Sequence, residues 1–147
     1  GQLNIDNLRL DGNVISPTTS NGSISLLPNG SGDVVIGDGT DNDLQVKGDV
    51  IAFHSSDIKL KENITRIPDA LDKISSLSGN TYTWIEGHKY EGQDDTGVIA
   101  QEVEALGLPG LTTTREDGTK GVRYEKLIPV LIEAIKELKA EIDILKK

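Results

Sequence analysis

The stretch Ser55-Ser56-Asp57-Ile58-Lys59-Leu60-Lys61-Glu62-Asn63-Ile64 lies where the composition of this 147-residue chain changes. Upstream of it, residues 1–55 hold seven Asp, no Glu, and only Arg9 and Lys47 as bases. Their apolar residues come in short pairs between Gly, Asn, Asp and Ser. Downstream, residues 56–147 carry 13 bases and 17 acids in a pattern that becomes helical. All five aromatics (Phe53, Tyr82, Trp84, Tyr90, Tyr124) fall at or after position 53. The two parts differ in kind, and the seam falls at Ser56. A serine followed five residues later by a lysine supplies a nucleophile and an amine base. The expectation is a chain that cuts its own backbone there.

Composition removes several alternatives. There is no Cys, which rules out disulfides and thiolate metal sites. Only His54 and His88 offer imidazole, so no metal centre and no cofactor are expected. A net charge of −9 argues against nucleic acid, whose phosphates need a basic surface. No apolar run approaches the ~18–20 residues of a membrane span, and the N-terminus lacks a signal-peptide pattern. The strand-like sequence at Gly1 reads as the continuation of a longer chain.

Within the N-terminal part, residues 6–16 align without gaps on 42–52, each copy reading as a short strand, a Gly turn and a second apolar pair. Ile24/Leu26 and Val34/Ile36 add two period-2 fragments. So thin an apolar stripe does not close a core within one chain, and its strand edges invite pairing with other chains. Intertwined copies would satisfy both needs; a monomeric sandwich fragment or a linker is the alternative. Asp38-Gly39-Thr40-Asp41-Asn42-Asp43 resembles a calcium loop but lacks the full spacing and the terminal Glu, so it reads as a turn.

In the C-terminal part, Ile67–Ile74 predicts a short amphipathic helix and Thr81–Ile85 a strand rich in β-branched and aromatic residues. Gly97–Ala100 reads as a second buried strand running into a helical turn over 101–106, stopped by Gly107 and Pro109. Leu111–Thr114 and Gly121–Tyr124 flank an Asp-Gly turn and predict a hairpin. From Ile128 onward, Ile128, Leu131, Ile135, Leu138, Ile142 and Leu145 are spaced 3, 4, 3, 4, 3. This is a heptad seam with Ile at a and Leu at d, which by itself favours a dimer. Pro129 is tolerated only in the first turn, so the helix should start near 125–128. A helix packed on its own domain is the competing reading of the same spacing.

Three motifs in order, Ser56-Asp57-x-x-Leu60-Lys61-x-Asn63-Ile64, Gly97-Val98-Ile99-Ala100-Gln101-Glu102-Val103 and Tyr124-x-x-Leu127-Ile128-Pro129-x-Leu131 with Glu133–Leu138, resemble the endosialidase-type C-terminal intramolecular chaperone. This is the self-cleaving serine peptidase domain of phage tail spikes and fibres. The resemblance spans residues 56–147. It implies an α+β architecture in which a β-rich, intertwined trimeric stem (1–55) precedes a small α/β body and a long coiled-coil helix (56–147). It also implies a homotrimer that templates the upstream stem, cuts between Ser55 and Ser56 with Ser56 as nucleophile and Lys61 as base, and releases itself. The parent would be a virion tail fibre or spike assembled in the host cytoplasm. A non-cleaving fibre tip and a receptor-binding adhesin are the alternatives.

The chemistry is self-consistent. A seryl hydroxyl can attack its own preceding carbonyl through a five-membered ring, exchanging the amide for an ester that water then opens. Proximity supplies much of the gain. Lysine serves as base only when neutral, roughly one molecule per thousand for a free lysine near neutral pH. Burial disfavours the ammonium, so assembly would gate the cut. Five residues along a regular helix would set the two side chains about 140° apart, so the dyad requires Ser56–Lys61 to be extended or looped. Asp57 is expected to cap the following turn. His54 reads as a surface residue, His88 as part of a loop, and Arg123 as a partner for an acid on another copy.

Overall fold

The computed structural model describes residues 8–36 and 44–146. The calcium-like run 38–43 and the first residues of both repeats lie outside them. The chain divides into two compact units, one up to Gly37 and one from Asp38 onward. It is a mixed α and β protein with three small antiparallel sheets and a C-terminal helix.

In the first unit, β1 (Leu8–Asp11) pairs with β2 (Val14–Pro17) in the register Leu8↔Pro17 to Asp11↔Val14. The loop has two residues, Gly12 and Asn13, and Gly12 sits at φ 56°, where L side chains are strained. This hairpin overlaps the first of the two aligned 11-residue segments. The second copy, over Leu44–Ala52, forms no strand, nor do the fragments at Ile24/Leu26 and Val34/Ile36. Alternation specifies which faces a strand has but cannot supply the neighbour whose N–H and C=O groups complete a ladder.

In the second unit, α1 (Ala70–Ser75) lies against α3 (Ile128–Leu145), which follows a 3-10 turn at Tyr124–Leu127. Small side chains at Ala70 and Ala134 let the two backbones approach, with Val130 buried between them and Ile67, Leu71, Ile74 and Leu108 around the contact. A second cluster joins Val103 of α2 (Ala100–Ala105) to Leu111 and Leu127, with Leu77, Val98, Leu106, Leu108 and Val122 packed on it. The hairpin β5 (Thr112–Thr114) and β6 (Lys120–Val122) turns through Gly118 at φ 85°. Its Arg115 C=O accepts the Gly118 N–H at 3.0 Å. Tyr124, expected at the end of this hairpin, belongs to the 3-10 turn instead.

The strand expected at Gly97–Ala100 is displaced. The strand β4 is Asp94–Gly97, paired with β3 (Asn80–Thr83) so that Tyr82 faces Asp95. Gly97 ends it, and Ala100 opens α2. The polar run Asp94-Asp95-Thr96 carries no apolar alternation, so pattern reading passes over it. Side-chain contacts secure it: Thr83 Oγ1 donates to Asp94 at 2.6 Å and Trp84 Nε1 to Asp95 at 3.3 Å.

Two carboxylates hold the body together in ways periodicity does not reveal. Glu102 accepts the N–H and the hydroxyl of Ser78, both within 3.0 Å, tying α2 to the segment after α1. Glu137 of α3 accepts the N–H groups of Ala70 and Leu71 at 3.0 and 2.7 Å. Asp69, at φ 51°, makes no side-chain cap, so a residue 66 positions away in sequence caps α1 instead. Those hydrogen bonds, with Lys73 nearby, hold the Glu137 carboxyl below its ordinary 4.5. Because the folded-state value is lowered, this contribution is fully present above pH 4.5 and is lost as pH falls through the lowered value. Glu137→Gln should lower the melting temperature at neutral pH by about 4–8 °C, the scale of one lost cap. Thermal melts across pH should show the gap to wild type closing in acid.

Candidate active site

The site is built from one capped turn. Asp57 is extended (φ −61°, ψ 134°), and its Oδ1 accepts the Lys59 N–H at 2.9 Å, the capping role expected for it. The Leu60 N–H then reaches the Asp57 C=O and the Lys61 N–H the Ile58 C=O, both at 3.1 Å, closing a single 3-10 turn over Ile58–Leu60. Lys61 returns to extended backbone (φ −128°, ψ 141°). Ser56 and Lys61 therefore flank a turn rather than lie along a helix. Lys61 Nζ donates to Ser56 Oγ at 2.8 Å. In this contact the amine donates and the hydroxyl oxygen accepts. A neutral amine could instead accept the hydroxyl proton across the same distance, which would generate a nucleophile.

Asn63 follows at φ 53°, a conformation Asn tolerates better than other side chains, and its C=O accepts from Thr65 Oγ1.

Ser55, Ser56 and Lys61 are exposed, as are the apolar side chains around them, Ile58 (71 %), Leu60 (72 %) and Ile64. His54 is exposed. His88 stacks on Trp84, with ring centroids 4.0 Å apart and planes at 9°, and its Nδ1 accepts the Tyr90 N–H. Tyr82 packs edge-on to the same Trp84, so rings from the strand and from the following turn form one cluster. Burial, then the neighbouring Asp95 and Tyr124, push the Tyr82 phenol above its ordinary value. Arg123 is exposed and makes no ion pair among the described residues.

The second and third motifs meet at Gly97. The Val98 N–H donates to the Tyr124 hydroxyl at 3.2 Å. A Cβ on Gly97 would come within 2.5 Å of that hydroxyl and 3.6 Å of the Tyr82 ring. The two rings leave room for hydrogen only. Gly97→Ala should therefore cost about 1–3 kcal/mol, the scale of an overpacked contact, measurable by urea denaturation.

The six seam residues are all exposed: Ile128, Leu131, Ile135, Leu138, Ile142 and Leu145. The helix buries a different face, Val130 and Ala134, against its own domain, with Glu137 one turn on.

Residues 56–113 match the family described as chaperone of endosialidase. The long tail fiber protein Gp37 of Salmonella phage S16 is 36% identical over 100 residues, which cover 63% of this chain and 13% of that protein. Its namesake in Escherichia phage AR1 is 36% identical over 88 residues, 56% of this chain and 8% of the relative. That of Enterobacteria phage T2 is 36% identical over 95 residues, 59% and 7%. The chain thus spans about an eighth or less of the length of these relatives. The span that matches the chaperone-of-endosialidase family runs from Ser56 through the first two motifs.

Proposed function

We propose that this chain is part of a phage tail fibre in which residues 56–147 act as an intramolecular chaperone and single-turnover serine peptidase on residues 1–55. Three copies associate, align their stems, and each cuts between Ser55 and Ser56, Ser56 attacking and Lys61 taking its proton. The released stem stays in the virion tail. Its persistence is then kinetic, because the template has left.

The observation that carries this reading is the 2.8 Å contact between Lys61 Nζ and Ser56 Oγ, held by a capped turn. Because both groups are exposed in the single chain, assembly acts by drying the amine, not by bringing the pair together. Two features support association. Only Ala70, Val103, Leu111, Leu127, Val130 and Ala134 form the buried apolar core of the described residues, little for a chain of this size. The exposed seam also gains Ile132 at the flanking e position, and a stripe wider than a and d suits a bundle of more than two helices.

Mass spectrometry after expression tests the cut. Processing yields pieces of about 6 and about 10 kDa from the 15.8 kDa chain. One intact mass in an associated protein returns the non-cleaving fibre tip.

A further inference from the structure

Two residues beyond Lys61 the chain enters a groove of about 410 Å³ that begins at Asn63. Ile67, Leu108, Leu111 and Val130 give it an apolar lining, Arg66 and Lys126 add two bases, and no acid lines it. Neither base has an ion pair among the described residues. The segment just upstream of the proposed cut has the complementary character. In Asp49-Val50-Ile51-Ala52-Phe53, one acid precedes three large apolar side chains that are 70, 81 and 94 % exposed. Phe53 lies three residues before Ser56, Asn63 two after Lys61, and the dyad contact joins Ser56 to Lys61. At about 3.3–3.6 Å per extended residue the chain could reach its own groove, yet Phe53 stays almost wholly exposed.

We propose that this groove receives residues 49–53 of a second copy, with Asp49 toward Arg66 and Lys126 and the apolar side chains along its floor. The inference rests on the association reading above and deepens it: the chaperone body of one chain holds the stem of another immediately before its scissile bond. Stem alignment and the cut are thereby coupled, because the segment being positioned ends at the nucleophile.

Photocrosslinking tests it. A photoreactive benzoylphenylalanine replaces Phe53 in the full chain carrying Ser56→Ala, and ¹⁵N-labelled and unlabelled copies are co-assembled and irradiated. Mixed-isotope crosslinks from position 53 to peptides spanning 63–68, 108–111 or 126–130 are expected. Arg66→Glu with Lys126→Glu should lower their yield on the order of tenfold by like-charge repulsion of Asp49, and Asp49→Lys in the same chain should restore it. Single-isotope crosslinks only, or crosslinks elsewhere, overturn the proposal. The mass of the otherwise wild-type chain reports cleavage separately. Mixed-isotope groove crosslinks beside an uncut wild type keep the groove and reject the peptidase; a cut wild type with crosslinks elsewhere does the reverse.

Discussion

Ser56→Ala and Lys61→Ala are each expected to leave a single species of 15.8 kDa on a denaturing gel, while Ser55→Ala still yields two fragments. In the proposed cut Ser56 would supply the attacking oxygen, so its loss would end the reaction. Lys61 would supply the base, and losing a positioned base costs about 10²–10⁴ in rate. Lys61→Arg is the sharper variant. A guanidinium can keep a hydrogen bond to Ser56 Oγ but cannot give up its proton, so the chain should stay intact. Cutting by Lys61→Arg would show that the lysine only orients the serine. Both side chains are exposed, so circular dichroism should match wild type and separate lost chemistry from lost folding. Under the proposal Ser55 would contribute only the carbonyl that is attacked, which its side chain does not alter.

The other large effect is expected along α3. Ile135 is 65 % exposed and Ala134, beside it, is 4 % exposed. Ile135→Glu should leave the fold of each chain intact but abolish association. For the proposed trimer, light scattering would then fall from about three times 15.8 kDa to the mass of one chain. If drying of Lys61 by assembly gates the cut, the same variant stops cleavage with the dyad untouched. Continued cleavage by a monomer would sink the gate. Ala134→Leu should behave oppositely, crowding α1 at a cost of about 1–3 kcal/mol to the domain. Adjacent residues thus report separately on the contact within the chain and on the proposed contact between chains.

Much of the local structure is legible in the sequence itself. The hairpin around Asp117-Gly118, the stop at Gly107, the start of the long helix near Pro129 and the cap at Asp57 all follow from rules acting over four or five residues. The polar strand Asp94–Gly97 was not legible, because its partner Asn80–Thr83 and its side-chain contacts define it rather than alternation. Glu137 was equally hidden. A glutamate on a charged helix reads as solvent-facing until the fold brings two orphan N–H groups of α1 to it.

The dyad divides in the same way. The compositional seam and the family resemblance together single out Ser56 and Lys61, and helix geometry requires the segment between them to be extended or looped, since a helical spacing of five turns side chains apart. That the turn closes as a 3-10 element with the amine 2.8 Å from the hydroxyl was decided only in three dimensions, by Asp57 and the two backbone bonds behind it. On α3, spacing identified a seam but not whether it faces inward. Packing decided that, because the small side chain of Ala134 admits α1 on one side and leaves the larger Ile and Leu residues outside. Chemical identity is local and survives in the sequence, whereas which face is buried depends on the shape of a neighbour that only folding supplies.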